Sequence, residues 1–300
     1  MWCKFEEGGD GPGGKEVQMR IGDLEVHIVS DGRVEVDAGG PFGLVPRALY
    51  RRYFDPSVDN LVPMVLNCLL VRSKGKTILI DTGLGDKLSE EEIAGWHHAR
   101  PEGGLIAGLA RLGVSPEDVD IVINTHLHAD HCGGNTCWSG EAALPTFPNA
   151  TYLVQRIEWA EASHVDGRTR GTYHSNNFDP VMRKGRLRLL YGDYQVTDQV
   201  LCVVTPGHTR GHQSVMLSSG SWRGLYVADM ASYAVHFQRT AWLTAYDVFP
   251  LENIATKGRW QQWALQEKAW LFFEHDPYMP VARLVERGSR RELEPLEIDA

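Results

Sequence analysis

Thr125-His126-Leu127-His128-Ala129-Asp130-His131-Cys132-Gly133-Gly134 sets four potential metal ligands, His126, His128, Asp130 and His131, within six residues. The run before it, Val119-Asp120-Ile121-Val122-Ile123-Asn124, is rich in β-branched residues and reads as a buried strand. The ligands then stand on the loop that leaves the strand's carboxyl end. In extended chain, residues i and i+2 project to one side, so His126 and His128 can share one metal while Asp130 and His131 turn towards a second. On a helix the first two would face nearly opposite ways. Imidazole suits Zn, Fe or Ni, and the carboxylate beside it admits Mn or Co, so the ligand types leave the metal open.

Working outward, the same placement recurs. Val200 to Val204 reads as a strand that delivers Thr205-Pro206-Gly207-His208, Leu225 to Ala228 ends at Asp229, and the short buried run Trp270 to Phe273 leads to His275. Independent surface histidines would have no reason to share strand ends. The set divides by valence: His126, His128 and His208 for one metal, Asp130, His131 and His275 for the other, with Asp229 bridging. That leaves each ion an open position, as hydrolytic catalysis at a carbonyl or phosphoryl centre requires. Asp81 also ends a buried strand, Thr77 to Ile80. A carboxylate there is costly unless paired, so it either steadies a metal-bound histidine or caps the turn that follows.

Between these points the pattern alternates strands and helices. Val17 to Ser30 reads as a strand or hairpin turning at Gly22-Asp23 and closing at Asp31-Gly32, with His27 a sheet residue. Gly39 to Pro63 reads as a long apolar loop, and Phe42, Leu44 and Tyr50 are expected to line the substrate entrance, a homodimer interface, or both. Val65 to Val71 and Thr77 to Ile80 form a hairpin. Ser89-Glu90-Glu91-Glu92 carries a capping box that opens a short helix. Leu105 to Leu112 is a helix stopped by Gly113. Thr151 to Gln155 is a strand, Ile157 to Ala162 a helix, Leu187 to Tyr191 a strand, Gln213 to Ala228 a hairpin around Gly220, and Leu251 to Leu265 a helix. Pro280 to Ile298 reads as a terminal hairpin turning at Gly288-Ser289, or as a strand. Residues 1–16, rich in glycine, read as a flexible leader, and 17–300 as one domain.

Three hundred residues with 43% apolar and 23% charged content describe an ordinary globular protein with room for a sizeable core. A net charge of −9 offers no footprint for nucleic acid. No apolar run reaches the ~18 residues that span a bilayer, and the start has no hydrophobic signal segment, so a cytoplasmic location is expected. Five cysteines, Cys3, Cys68, Cys132, Cys137 and Cys202, are odd in number and irregularly spaced, which speaks against a disulfide framework. Cys132 and Cys137 read as small buried thiols before they read as ligands.

His-x-His-x-Asp-His, followed by His208, Asp229 and His275 and preceded by Ile80-Asp81-Thr82-Gly83, resembles the metallo-β-lactamase superfamily across nearly the whole chain. The resemblance implies an α/β fold: a four-layer αβ/βα sandwich of two mixed sheets with helices on the outer faces. It implies two divalent metal ions, zinc foremost, with Mn, Co or Fe as alternatives. Pro148-Asn149-Ala150-Thr151-Tyr152, Gln155, Glu158-Trp159, Gly207-His208-x-x-Gly211-His212, Thr244-Ala245-Tyr246-Asp247 and Phe272-Phe273-Glu274-His275-Asp276 are similar to the quorum-quenching N-acyl-homoserine lactonases. By that analogy a metal-bridging hydroxide attacks the ring carbonyl of a small lactone or ester, and Asp130 shuttles a proton. His212 would support a ligand.

The sequence departs from those lactonases at one place. They carry a substrate-facing Tyr three residues after the bridging Asp, where this chain has Ser232 and then Tyr233. Tyr233, His236 and Tyr246 are the candidates for that role. A phosphotriesterase of the methyl-parathion-hydrolase type would use the same ligands, as would a glyoxalase II thioesterase, which the finer motifs do not favour. A true β-lactamase is disfavoured by Asp at 229. The reading from another class is a non-catalytic metal-binding or ligand-sensing module, which the presence of all seven ligands opposes.

Overall fold

The computed structural model describes residues 18–296, so the leader read at 1–16 lies outside the described residues. The first half of the chain forms β1 (Gln18–Ile21), β2 (Leu24–Asp37), β3 (Leu61–Ser73), β4 (Lys76–Ile80), β5 (Ile121–Ile123), β6 (Thr136–Ser139), β7 (Ala142–Pro145), β8 (Thr151–Gln155) and β9 (Leu187–Leu190). The second forms β10 (Tyr194–Thr197), β11 (Val200–Val204), β12 (Gln213–Ser219), β13 (Trp222–Tyr226), β14 (Trp270–Phe272), β15 (Val281–Arg287) and β16 (Arg290–Pro295). One seven-stranded sheet runs β1-β2-β3-β4-β5-β8-β9, the other β10 to β16 in sequence order, and β6-β7 is a separate hairpin. Both large sheets are mixed, as expected for the sandwich.

Alternation along the strands decides the layers. Leu69, Val71, Ile78, Ile80 and Ile123 of the first sheet meet Val200, Cys202, Val215, Leu217, Tyr226 and Phe272 of the second in one buried core. The opposite face of the first sheet (Leu70, Leu79, Val122) is covered by Leu105 and Leu109 of the helix Gly104–Arg111. That of the second (Leu225, Leu271, Ala282) is covered by the helix Pro250–Glu267, through Ala264 and Trp260. Each fully buried leucine in these layers contributes roughly 1.5–3 kcal/mol of transfer free energy.

Two local readings differ from the structure. β2 does not stop at Asp31-Gly32 but bulges there, with its pairing to β3 shifted between Ser30 and Arg33, and continues to Asp37. The bulge persists because Asp31 is satisfied: its carboxylate accepts from Arg100 Nη2 at 2.9 Å, Gly85 N at 3.0 Å and Leu105 N at 3.1 Å. The 39–63 segment is not loop throughout. It forms one-turn helices at Gly39–Phe42 and Arg47–Tyr50 and re-enters β3 at Leu61. Phe42 and Tyr50 stack at 4.4 Å and are buried in the core, so neither lines an entrance or a subunit interface as expected, while Leu44 projects fully into solvent.

Strand direction gathers the candidate ligands. β4, β5 and β8 are parallel. β13 and β14 are parallel, and β11 runs the same way because both β11 and β13 are antiparallel to β12. The carboxyl ends of β4, β5, β11, β13 and β14 therefore open onto one edge of the sandwich. Backbone bonds tie the sheets together there: Val65 N to His275 O at 3.3 Å, Asn67 N to Glu274 O at 3.1 Å, and Gln213 N to Thr125 O at 2.9 Å. Among the described residues no helix is long and apolar enough to cross a membrane.

Candidate metal centre

After β5 the chain bends at Thr125, runs without helix to an extended His128, and then makes a single helical turn, Ala129–Cys132. That stretch puts His126 and His128 side by side, their ring centroids 4.5 Å apart. The two glycines that follow have a packing reason. A Cβ on Gly133 would stand 2.8 Å from Leu84 Cα, and one on Gly134 3.2 Å from the Thr82 carbonyl carbon, so only glycine lets the ligand turn press on Thr82–Leu84.

The structure brings all seven candidate ligands together. The ligand atoms of His126, His128 and His208 lie within 4.8 Å of one another, as do those of Asp130, His131 and His275. Asp229 stands at the junction: Oδ2 is 3.2 Å from His208 Nε2 and 3.5 Å from His131 Nε2, and Oδ1 is 3.3 Å from His275 Nε2. Asp130 Oδ2 is 3.7 Å from His275 Nε2.

The hydrogen bonds around the rings test whether this donor set fits metal ions. His275 Nδ1 lies 2.9 Å from the Val65 carbonyl oxygen, an acceptor only, so Nδ1 carries the proton. By the same reasoning His131 donates from Nδ1 to Asp81 Oδ2 at 3.1 Å, and His208 from Nδ1 to Asp247 Oδ1 at 3.0 Å. Each ring therefore turns an Nε2 lone pair inward. His131 Nε2 and His275 Nε2 face each other at 3.2 Å, His208 Nε2 faces His128 Nδ1 at 3.1 Å, and the buried Nε2 of His126 has no partner. Lone pairs so placed are costly when buried. A cation between them removes the conflict, and the donor set fits divalent ions.

The electrostatics agree. Burial works against a charged His275, yet Asp229 and Glu274 overcome it and push its pKa up to about 9. His131 is likewise raised against burial, by Glu274, Asp130 and Asp229, and His208 by Asp229 and Asp247. Burial and the neighbouring imidazoles drive His126 and His128 well below the ordinary range. The carboxylates draw positive charge to the junction while burial rejects protons at its far side.

Asp81 does steady a histidine: besides His131 it accepts from Thr125 N at 2.8 Å and Thr125 Oγ1 at 2.6 Å. His212 supports Asp229, its Nε2 accepting from Asp229 N at 3.1 Å, and burial brings its pKa down to about 3. Sequence reasoning assigns no role to Asp247, Glu274 or Thr205, whose hydroxyl lies 2.8 Å from His212 Nδ1. Asp247 lies 39 residues from the ring it orients, and no spacing announces that pairing. Glu274 Oε2 lies 2.9 Å from His131 Nδ1, and burial pushes its pKa up to about 7. Cys132 donates its thiol to the Leu127 carbonyl at 3.2 Å, and burial raises it, as a small interior thiol should behave.

A cavity of about 240 Å³ opens over the centre. Its floor is His128, Asp130, His208, Asp229 and His275, and its walls are Val36, Pro41, Met64, Trp96, Ala129, Gly171, Thr172, Ser232 and Tyr246. Of the three candidates for the substrate-facing role, Tyr246 lines this cavity. Tyr233 is fully buried behind the wall, against Phe42 and Phe54, and donates to the Pro63 carbonyl at 3.0 Å. His236 is buried edge-on to Phe42 and does not reach the cavity lining. Ser232, three residues after Asp229, lines the cavity, and Tyr233, one residue later, points into the core.

Residues 62–251 match the family model described as the metallo-beta-lactamase superfamily. Among curated proteins the chain is 27% identical over 228 residues to an N-acyl homoserine lactonase of a Bacillus species, covering 72% of this chain and 83% of the relative. It is 28% identical over 225 residues to the N-acyl homoserine lactonase AttM of Azorhizobium caulinodans, covering 70% and 80%. Among solved structures, a "probable metal-dependent hydrolase" of Staphylococcus aureus superposes with TM-score 0.84 at 27% identity, over 94% of this chain and all of that one. The dizinc quorum-quenching lactonase AidC, at 22% identity, shares the fold with TM-score 0.79 over 95% and 98%.

Proposed function

We infer the reaction from family and geometry together: the chain belongs to the metallo-beta-lactamase superfamily, and it is a hydrolase of that superfamily that opens N-acyl-homoserine lactones. The observation that carries the reading is Asp229, a single carboxylate shared between two ligand trios on the floor of a small cavity with apolar walls. His126, His128 and His208 would hold one divalent ion, and Asp130, His131 and His275 the other, with Asp229 between them. Zinc is the ion proposed first. When bound, such ions polarise a carbonyl oxygen and lower the pKa of a coordinated water towards ~7.

The chain's own residues supply the rest. Val36, Pro41, Met64 and Trp96 present an apolar surface to the acyl group. Ring opening adds water across the acyl C–O bond, so one proton leaves the attacking water and one reaches the departing alkoxide. Asp130, at the cavity floor, is placed to carry it. Tyr246 keeps its phenol proton, because burial together with Asp130 and Asp229 pushes its pKa up to about 12, and it serves as a donor to oxygen on the substrate.

The test is to purify the protein with Zn, Mn or Co supplied, measure metal per chain, and follow acid release from short- and long-chain homoserine lactones beside an aryl phosphotriester. Asp229→Asn runs in parallel. Two ions with lactone turnover that the variant loses supports the proposal. Two ions with phosphotriester turnover alone replaces the substrate, two ions with no turnover favours a sensing module, and no metal overturns the site.

A further inference from the structure

We propose that Glu158, which touches none of the ligand atoms, is a positioning residue for one half of the centre: it holds the His126, His128 and His208 trio in register and leaves the Asp130, His131 and His275 trio to other supports. The inference rests on the two-ion reading above.

Glu158 lies on the helix Arg156–Ser163, directly after β8, and is fully buried. A buried carboxylate with no cation beside it is expensive, so its three partners matter. Oε1 accepts from Leu127 N at 3.0 Å and from the Tyr173 hydroxyl at 2.9 Å, and Oε2 accepts from Thr209 Oγ1 at 2.6 Å. Leu127 is the residue between His126 and His128, and Thr209 follows His208. The Tyr173 ring packs against the His128 ring at 4.9 Å. All three partners therefore belong to, or lean on, one trio. The loop bearing His208 is drawn close: a Cβ on Gly211 would stand 2.6 Å from Glu158 Cα. The second trio is held from elsewhere, His131 by Asp81 and His275 by the Val65 carbonyl. One side chain thus joins two loops distant in sequence where they meet at the first trio.

The chemistry of the three donors says which substitutions matter. A glutamine keeps Oε1 for Leu127 N and Tyr173, and its amide can donate to Thr209, whose hydroxyl reverses its role. A leucine of similar size keeps none of the three bonds.

The experiment uses the full chain, stripped with chelator and reloaded with Co(II), comparing wild type, Glu158→Leu and Glu158→Gln. Metal per chain, stepwise affinity by competition with a chelator, the visible Co(II) spectrum and the melting temperature of each metal-free form are recorded. Wild type should take two ions. Glu158→Leu should keep one near wild-type affinity and bind the other about 10- to 100-fold more weakly, the range for losing a group that orients metal ligands. Its spectrum should lose the contribution of the first trio, and Glu158→Gln should restore it. Equal affinity for both ions in Glu158→Leu overturns the proposal, as does parallel weakening of both ions with a lower melting temperature of the metal-free form. If Glu158→Leu does not fold, Tyr173→Phe with Thr209→Val removes two of the three bonds at lower risk and is read the same way. A wild type that takes no metal is a different result, removing the two-ion reading itself and this proposal with it.

Discussion

Substituting Gly40 by alanine should push the phenol of Tyr246 out of the cavity while leaving the surrounding fold in place. Gly40 lies in the one-turn helix Gly39–Phe42 and is not among the residues with positive φ, so alanine adopts its backbone freely. Alanine is favoured over glycine in a helix by about 1 kcal/mol, which offsets minor repacking. The added Cβ would stand 2.5 Å from Tyr246 Cζ and 3.1 Å from Cε2, and closer still to Oη; the three nearest atoms all belong to that ring. The ring must move, and at 43% exposure it has open solvent to move into. Its backbone cannot follow. Ala245 N donates to Gly40 O at 2.8 Å, Val248 N to His208 O at 2.9 Å, and Arg168 Nη2 to the carbonyls of Ala245 and Asp247 at 2.8 and 2.9 Å.

The size of the effect follows from what the phenol does. As a protonated donor to an oxygen that gains negative charge, it contributes the roughly 1.5–3 kcal/mol of a hydrogen bond to a charged group. At 1.36 kcal/mol per decade that is about a 10- to 150-fold fall in kcat. The assay is steady-state acid release from a short-chain homoserine lactone by wild type, Gly40→Ala, Tyr246→Phe and the double variant, each with metal content and melting temperature measured. The single variants should lose the same factor, the double variant no more than either, and the metal content should not change. Wild-type kcat in Gly40→Ala, or losses that multiply in the double variant, would refute the reasoning, since residues acting through one contact cannot be additive.

Two further perturbations test other parts of the structure. Asp81→Asn keeps one oxygen for His131 Nδ1 and Thr125 Oγ1 but turns an amide NH2 towards Thr125 N, so metal affinity should fall about 10- to 100-fold while the fold survives, measured by chelator competition and circular dichroism. Lys257 is buried with a pKa brought down to about 8 by burial, so between pH 8 and 10 the unfolded chain binds a proton that the folded chain has released. Stability from this group therefore rises with pH across that window, and wild type should gain on Lys257→Met by up to about 1.4 kcal/mol per pH unit. Urea denaturation at pH 7.5 and pH 10 checks it; a constant difference would show that Lys257 does not titrate as its burial demands.

What could be read in the chain was what local chemistry writes locally. The strand before His126, the hairpins β12-β13 and β15-β16, the capping box at Ser89 and Glu92, and the helix Pro250–Glu267 all carry their signal within a dozen or so residues, in alternation, turn residues or helical period. The short elements carry none. Gly39–Phe42, Arg47–Tyr50, Asp179–Arg183 and Ala234–Gln238 are of four or five residues, too few to show a period or to be stable in isolation. They exist because Phe42, Tyr50, Val181 and Phe237 have a core to enter. The bulge in β2 was hidden for a related reason: Asp31-Gly32 is good turn chemistry, and partners far along the chain, Gly85, Arg100 and Leu105, make it worth keeping within a strand.

The same division runs through the centre. Ligands at strand ends were legible because the strand that delivers each one adjoins it. The groups that make those ligands usable were not, since Asp247 for His208, Val65 for His275 and Glu158 for two loops at once lie far along the chain from what they hold. Tyr246 shows why an aligned position misleads. A tyrosine close behind Asp229 looks placed for substrate, but Tyr233 turns towards Pro63, and a phenol from the turn that carries Asp247 lines the cavity instead. Because Asp247 orients His208 and Tyr246 is its chain neighbour, a single turn ties the position of a donor to the position of a metal ligand. A substitution that loosens this turn should therefore disturb substrate and metal together, whereas one that moves only the ring should disturb substrate alone. Gly40→Ala is of the second kind, and that is why it separates the two.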